Sequence, residues 1–428
     1  MAAASRGGRV HVVGAGLAGL AAALSLSAAG REVLVHEAAG QAGGRCRSYF
    51  DKALDCRIDN GNHLLLAANR AALAYLEEVG AGDSLTGPEE PAFPFLDLAS
   101  GASWTVRPNA GRFAWWILAP GRRVPGSGAL DYLKALRLLT AAPDATVMEV
   151  LGPGLLMERF WRPLVVAVLN AEPEVAAAGL LAPVLRETFG RGGRWCRPLV
   201  ARRGLGESFV EPALATLAGR GVEVGFGRRL RRLERQGGRV AGLDFPDGRL
   251  ALGPEDGLVL AVPAPVAETL LPGLQVPQGS SAIVNAHFRL DGPARLPGGA
   301  LLVGLLGGSA DWVFLRSPLE GVTIASVTVS AADALAELPA ETLLPQLWRD
   351  TAAALGLAGN AQPPGRLVKE KRATFLQTPA EVARRPGCRT VWDNLVLAGD
   401  WTATGLPATI EGAIRSGRTA AESLLRSP

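Results

Sequence analysis

The sequence predicts an α/β fold, α+β over the whole chain, in which one parallel sheet-and-helix domain is interrupted by an inserted domain of mixed sheet plus helices. Three observations predict it. An apolar run near the N-terminus, Val10 to Gly30, is broken by regularly spaced glycines. A second buried-strand pattern, Asn394 to Asp400, lies near the other end and opens onto a helix. The chain has 428 residues, more than one hydrophobic core usually organises, and with 48% hydrophobic and 20% charged residues it can bury a large core. Its 53 glycines and 30 prolines are scattered as turn punctuation, without a repeat period or heptad run.

A hydropathy window alone reads Val10–Gly30 as a membrane span or a signal peptide. The run divides better into a strand, Arg9 to Val13, a tight glycine turn, Gly14 to Gly19, and a small-residue helix ending near Gly30. A second strand follows, Glu32 to His36. This is a βαβ unit buried on both faces of its strands, which explains the unbroken apolarity. Gly14-x-Gly16-x-x-Gly19, with the acid Glu37 closing the second strand, matches the Rossmann-like dinucleotide fingerprint in its required setting. Gly14 allows the turn, Gly16 lets the backbone approach a pyrophosphate, and Gly19 lets helix and sheet pack closely. Leu17 and Ala18 stand at the positive end of the helix, where phosphates bind. Glu37 is placed to accept ribose hydroxyls.

Charge and composition exclude other classes. The 44 Lys and Arg residues against 40 acidic ones give a net charge of +4, with only four lysines, at 52, 134, 369 and 371. No basic tract interleaves with aromatics, so no nucleic acid is expected as a partner. Cys46, Cys56, Cys196 and Cys388 lack metal or redox spacing and suit a reducing cytoplasm. Four histidines, at 11, 36, 63 and 287, make no metal site.

The segment Gln41-Ala-Gly43-Gly44-Arg45-Cys-Arg-Ser48 follows the acid with a second glycine pair and an arginine. It resembles the extension found in FAD enzymes of the amine oxidase and carotenoid desaturase superfamily. The resemblance implies that Gly43, Gly44 and Arg45 line the pyrophosphate and flavin, a task to which guanidinium is suited. Two later segments fit the same plan. Gly221 to Leu233 reads as a strand pair, with the backbone of Leu230 implied at the adenine, and Gly257 to Pro263 reads as a strand re-entering the cofactor domain. Near the C-terminus, Gly399-Asp400 is implied at ribityl or phosphate oxygens. The helix opening at Ala408, Thr409, Ile410 and Ala413 is implied at the flavin, whose reduced form is anionic and favoured by a helix N-terminus. The expected amine oxidase-like division assigns 1–90, 201–275 and 386–428 to the FAD-binding domain, and 91–200 and 276–385 to the substrate domain. FAD is expected to be non-covalent, since no cysteine follows Cys388. Gly152-Pro-Gly154 and Gly190-Arg-Gly-Gly193 lack a preceding strand and the right spacing. NAD(P)H, if it is the external reductant, must therefore bind without that motif or act through a separate reductase.

Outside the FAD plan the resemblance narrows. Ile58-Asp-Asn-Gly61-Asn62-His63-Leu-Leu-Leu66, Trp104–Gly111, Trp115-Trp116 with Arg122–Gly126, Phe160–Leu164 with Val168-Leu-Asn170, Ile283–Phe288, Lys369–Phe375 and Gly399–Gly412 together resemble the hydroxysqualene dehydroxylases of hopanoid biosynthesis, across essentially the whole chain. Asn62 departs from an expected Gln but keeps the amide. The family implies reductive dehydroxylation: hydroxysqualene loses its allylic hydroxyl and receives a hydride from reduced FAD, giving squalene and water. Such chemistry needs a proton donor and a dry, apolar pocket. Gly61, Asn62 and His63 are implied beside the flavin, His63 either as a proton donor or as a structural histidine. Asn285 and His287, the other catalytic candidates, lie two apart on a predicted strand and share a face, leaving open whether that face is core or site. Glu370 and Arg372 similarly share a face and fit an ion pair. Asn170, Trp115 and Trp116 are the substrate candidates, and the two tryptophans equally fit core or membrane. No lysine lies between 134 and 369, where amine oxidases of the superfamily keep one, which argues against amine oxidation.

A thirty-carbon isoprenoid must be collected from a bilayer. Phe113–Ala119 is too short to span, but its aromatics are bracketed by Arg112 and Arg122-Arg123, as at an anionic membrane surface. The expectation is a cytoplasmic protein held peripherally at the inner face of the cytoplasmic membrane, with squalene-pathway synthases as further candidate partners. Two other readings remain: a carotenoid or phytoene-type desaturase oxidising a polyprenoid, and a non-catalytic flavin-binding scaffold.

Overall fold

The computed structural model describes residues 8–426 except 358 and 360. Five short strands form a wholly parallel sheet in the order Glu223–Gly225, Val33–His36, Val10–Val13, Gly257–Leu260, Leu395–Leu397. Val10 to Val13 lie central, with Gly257–Leu260 on one side and Val33–His36 on the other, so both faces need cover. Helix Leu17–Ala28 supplies it from one side and is itself covered by Glu211–Gly219 and Ile410–Arg426. A helix enclosed in this way must be apolar all round, which is why its sequence mimics a membrane span. The first and last helices meet through Gly417, where a Cβ would lie 2.1 Å from the carbonyl oxygen of Ala18.

Three boundaries differ from the sequence reading. The first strand begins at Val10, the helix begins at Leu17 and so contains Gly19, and the second strand begins at Val33. Gly221 to Leu233 is not a strand pair. Glu223–Gly225 joins the parallel sheet, while Arg232–Gln236 opens a separate three-stranded antiparallel sheet with Arg239–Phe245 and Gly248–Ala251. Alternating apolarity marks a strand but not the sheet it joins.

A seven-stranded mixed sheet takes its strands from 93–106 and 280–375. Its order is Gly365–Phe375, Ser280–Asp291, Val322–Val329, Trp312–Leu319, Leu302–Leu306, Phe93–Asp97, Ser103–Val106, antiparallel except where Leu302–Leu306 runs parallel to Phe93–Asp97. Alternate residues of Ser280–Asp291 divide its two faces. Val284, Ala286 and Phe288 pack with Leu343, Leu347 and Trp348 of helix Ala340–Ala354. Asn285 and His287 face the hairpin Ser48–Asp51/Cys56–Asp59 and the turn after it. Both faces are buried, so the sheet is a wall between that hairpin and the outer helices.

Candidate cofactor and active site

The glycine turn is built by close approach. Gly14 has φ +106°, and a Cβ there would lie 2.3 Å from the Ala261 carbonyl oxygen; a Cβ at Gly19 would lie 1.9 Å from the Gly14 oxygen. Both positions exclude any side chain. A Cβ at Gly16 would meet no atom within 4 Å, so glycine there is not demanded by the fold. Gly16 pairs as a bridge with Gly43, the Gly43 amide donates to the Ala15 carbonyl at 2.8 Å, and Gly43 and Gly44 both have positive φ. The two glycine motifs thus form one backbone cradle that a side chain on Gly16 would fill, at the N-terminus of Leu17–Ala28. This is the shape and polarity a pyrophosphate requires.

Glu37 lies beside the cradle. Its carboxylate accepts the amides of Ala15 at 2.7 Å and Ala39 at 2.8 Å, which fixes it against the turn and leaves lone pairs for ribose hydroxyls. Alongside, the amides of Gly227 and Arg228 donate to the Ala39 and Glu37 carbonyls, bringing in the loop that carries Leu230. The side chain of Leu230 is buried, while among the described residues neither its amide nor its carbonyl has a hydrogen-bond partner.

Arg45 and Asp400 meet across this space. Nη2 of Arg45 donates to both carboxylate oxygens of Asp400 at 2.7 Å, and Nη1 donates to the Ala373 carbonyl. Asp400 reinforces the charge of the guanidinium, pushing its pKa further up. The Ala373 carbonyl is available because Gly365–Phe375 bulges: Ser281 pairs with Thr374 but Ile283 with Glu370, so 371–373 leave the ladder. Gly399 is held by Ser416, whose hydroxyl accepts its amide at 2.9 Å. Asp400 follows with its carboxylate buried while the Arg45 side chain is 45% exposed.

Sequence reasoning missed the group that shapes this loop. Arg385 is buried and donates to the carbonyls of Asp400, Thr402 and Leu406 and to the Thr404 hydroxyl. Burial lowers its pKa to about 10, which leaves it charged at neutral pH. Gln377 is likewise buried, and its Oε1 accepts the Ala408 amide at 2.9 Å, so that amide is engaged within the protein. Thr409 caps the last helix through Gly412 at 3.1 Å, and among the described residues no acceptor is found for the amides of Ile410 and Glu411. Ala413 lies one turn in, its amide bonded to the Thr409 carbonyl.

The turn Asn60–His63 is clamped onto the mixed sheet. Asn285 Oδ1 accepts the Asn62 amide at 3.3 Å and the Thr328 hydroxyl at 2.9 Å, while Asn62 Nδ2 donates to the Thr328 hydroxyl at 3.1 Å and the Val327 carbonyl at 3.3 Å. Asn60 donates to Glu370 at 3.1 Å. Glu370 therefore serves this turn and forms no pair with Arg372 among the described residues. His63 Nδ1 lies 3.1 Å from the Gly61 carbonyl, which only accepts, so Nδ1 carries the hydrogen. Burial lowers the His63 pKa, as the nearby Arg45 charge also does, against the Gly61 bond and Asp59. His287 lies deeper, fully buried, with Nδ1 2.9 Å from the Ser326 hydroxyl; burial pulls its pKa to about 4.

Strand register extends this face into an aromatic row. Cross-strand partners run Trp104, Phe95, Gly304, Trp312, Thr328, Asn285, Val368. Phe95 stacks on Trp104 and meets Trp312 edge-on, closing over Gly304, where a Cβ would lie 2.7 Å from the Phe95 ring. The row thus leads from the clamped turn to an apolar cluster that includes Trp116, Tyr132, Phe160 and Trp161. The substrate candidates separate here. Trp116 is core, against Tyr132, and Trp115 is exposed beneath the Arg122 guanidinium. Asn170 has φ +48° and is bonded to Ser281, Thr374 and Ala331, so its side chain braces three segments of the inserted domain.

Comparison with known proteins covers nearly the whole chain. The chain is 47% identical to a hydroxysqualene dehydroxylase of Rhodopseudomonas palustris, covering 97% of this chain and 98% of that one. It is 45% identical to a hydroxysqualene dehydroxylase of Sinorhizobium fredii, with 97% and 98% covered. Its fold is that of the cyclohexylamine oxidase from Brevibacterium oxydans, at 17% identity and a TM-score of 0.71 over 98% of each chain. The family model described as "Flavin containing amine oxidoreductase" matches residues 17–425, and the chain belongs to that family of flavin enzymes.

Proposed function

We propose that the chain reduces hydroxysqualene to squalene, with FAD held non-covalently as its redox group. One observation carries this reading: the 45–47% identity to hydroxysqualene dehydroxylases spans 97% of this chain, a length that takes in the inserted domain as well as the cofactor cradle. Reduced FAD, when bound, supplies the hydride that replaces the allylic hydroxyl, which leaves as water with one added proton.

The chain's own residues do the rest. The cradle and the N-terminus of Leu17–Ala28 bind the pyrophosphate, Glu37 the ribose, and Arg45 with Asp400 the phosphate-to-ribityl stretch. Thr409 caps the last helix, and the amides of Ile410 and Glu411 would be the donors available to the flavin. Asn285 and Thr328 act as positioning residues, holding the turn that carries His63. Since Nδ1 of His63 donates to Gly61, a proton can leave only from Nε2 of the doubly protonated ring. Burial makes that form scarce at neutral pH and the proton it gives correspondingly acidic. His287 is a neutral support behind Asn285. The apolar row from Trp312 to Trp104 excludes water from the allylic carbon and offers aromatic faces to its developing positive charge.

The substrate is a bilayer solute, and we infer that the protein works peripherally at the cytoplasmic face of an anionic membrane. Among the described residues no helix is long and apolar enough to cross one. The test of the activity is anaerobic: enzyme with reduced flavin, mixed with hydroxysqualene, should reoxidise and form squalene. Failure to reoxidise, with bleaching of the oxidised flavin by a polyene precursor, would instead indicate a desaturase.

A further inference from the structure

The apolar cluster behind the aromatic row has an outer side that the fold leaves uncovered. Residues 129–140 form a short helix, Ala129–Leu133, running into a 3₁₀ segment, Lys134–Thr140. Three residues per turn align Leu133, Leu136 and Leu139 in one row, which Leu130 extends. All four are exposed, Leu130 by 77% and Leu136 by 61%, while Leu138 and Tyr132 point inward and anchor the segment. Tyr132 packs edge-on to Trp116 at 5.0 Å, which sets the adjoining segment beside the leucine row. That segment exposes Phe113 by 76%, Trp115 by 44%, and Leu118.

Seven large apolar side chains on one stretch of 27 residues exceed the scattered exposure usual for a soluble surface. The charges among them are mostly basic. Arg112, Lys134 and Arg137 are exposed, and Arg122 lies 4.9 Å over the Trp115 ring. Asp131, the one acid within that stretch, is engaged by Lys134 at 3.7 Å and by the Gly128 amide at 2.8 Å.

We propose that this face, the leucine row of 130–139 together with Phe113, Trp115 and Leu118, docks the enzyme on an anionic lipid bilayer. The basic residues between the apolar ones match lipid phosphates, and cationic and aromatic side chains together suit the headgroup level. Tyr132 and Leu138, which anchor this face, belong to the same apolar cluster as Trp104, Phe95 and Trp312 of the aromatic row. The proposal rests on the reading that the substrate is a membrane-dissolved isoprenoid.

The test is co-sedimentation with vesicles of equal parts phosphatidylglycerol and phosphatidylcholine, using the FAD-loaded enzyme and its Leu133→Glu plus Leu136→Glu variant. The wild type should sediment, less so with phosphatidylcholine alone, and the variant should bind at least ~10-fold more weakly. The variant should keep wild-type turnover of hydroxysqualene presented in detergent micelles, and Trp115 should be quenched by brominated phospholipid only in the wild type. A wild type that ignores anionic vesicles, or a variant that sediments equally, overturns the docking face. So does a lipid-free wild-type dimer that the variant converts to monomer, since the face then joins two copies. A wild type that sediments but turns over no substrate in micelles overturns the proposed reaction and leaves the docking face standing.

Discussion

Arg45 grips both carboxylate oxygens of Asp400, 355 positions later in the chain, and ties them to the bulge carbonyl of Ala373. The N-terminal domain segment, the C-terminal one and the mixed sheet are thereby joined at one guanidinium. On the proposed FAD site, removing it should weaken FAD retention more than it weakens the fold, because its side chain is 45% exposed beside the glycine cradle. Charge-assisted hydrogen bonds of this kind contribute roughly 1.5–3 kcal/mol. Arg45→Ala should therefore bind FAD ~10- to 100-fold more weakly in an equilibrium titration, and Arg45→Lys should restore little, lacking the planar fork. Unchanged FAD affinity in Arg45→Ala would remove the residue from the cofactor site.

The first two glycines of the fingerprint should respond differently to alanine. Gly14→Ala meets the Ala261 carbonyl and a left-handed backbone, so the apoprotein should lose melting temperature or fail to fold. Gly16→Ala meets nothing, so apoprotein stability should stay within about 1 kcal/mol of wild type while FAD binding is lost. Thermal melts and flavin content of the purified variants separate the two effects.

Asn285 should matter through the turn it holds. Asn285→Ala leaves the Asn62 amide and Thr328 hydroxyl without their buried acceptor, at a cost of about 1–3 kcal/mol in stability. If the turn positions His63, kcat should fall while KM for the substrate changes little. A variant with lower stability but unaltered kcat would make Asn285 purely structural.

Acid should destabilise the fold through its histidines. His36 and His287 are buried with pKa values lowered to about 4, and those of His11 and His63 are also lowered. Between about pH 6.5 and 4 the unfolded chain binds protons at these rings that the native chain refuses, so stability rises with pH across that window and is flat above it. His287 alone accounts for up to about 3 kcal/mol, fully lost below pH 4. Denaturant melts should therefore give a shallower pH slope for His287→Gln than for wild type, and an equal slope would place His287 in contact with water.

The βαβ unit was legible because its causes are local: glycines at fixed spacing, and apolarity on every side of a helix enclosed by two others. Arg45 and Asp400 were legible as motif members, though nothing in the sequence joins them directly to each other. Arg385 was not, since it is one arginine among many and no motif marks its bonds to the loop that follows Gly399. The aromatic row was equally hidden, because Trp312 joins the hairpin pair Phe95 and Trp104 only through the register of strands roughly 200 positions further along the chain. Alternation correctly placed Asn285 and His287 together, but only the neighbouring hairpin shows what that face meets. Trp115 and Trp116 look alike in sequence, but one is exposed and the other buried, because a 3₁₀ turn rotates neighbours by about 120° onto different faces.

The central claim is that electrons pass from the flavin to the alcohol. It is tested most directly by a single turnover under anaerobic conditions in D2O, where the exchangeable hydrogen of the reduced flavin is deuterium, with the excess reductant removed. Mixing with hydroxysqualene should yield squalene in amounts equal to the flavin reoxidised, with one deuterium at the carbon that bore the hydroxyl. A flavin that stays reduced while the alcohol is recovered intact would contradict it.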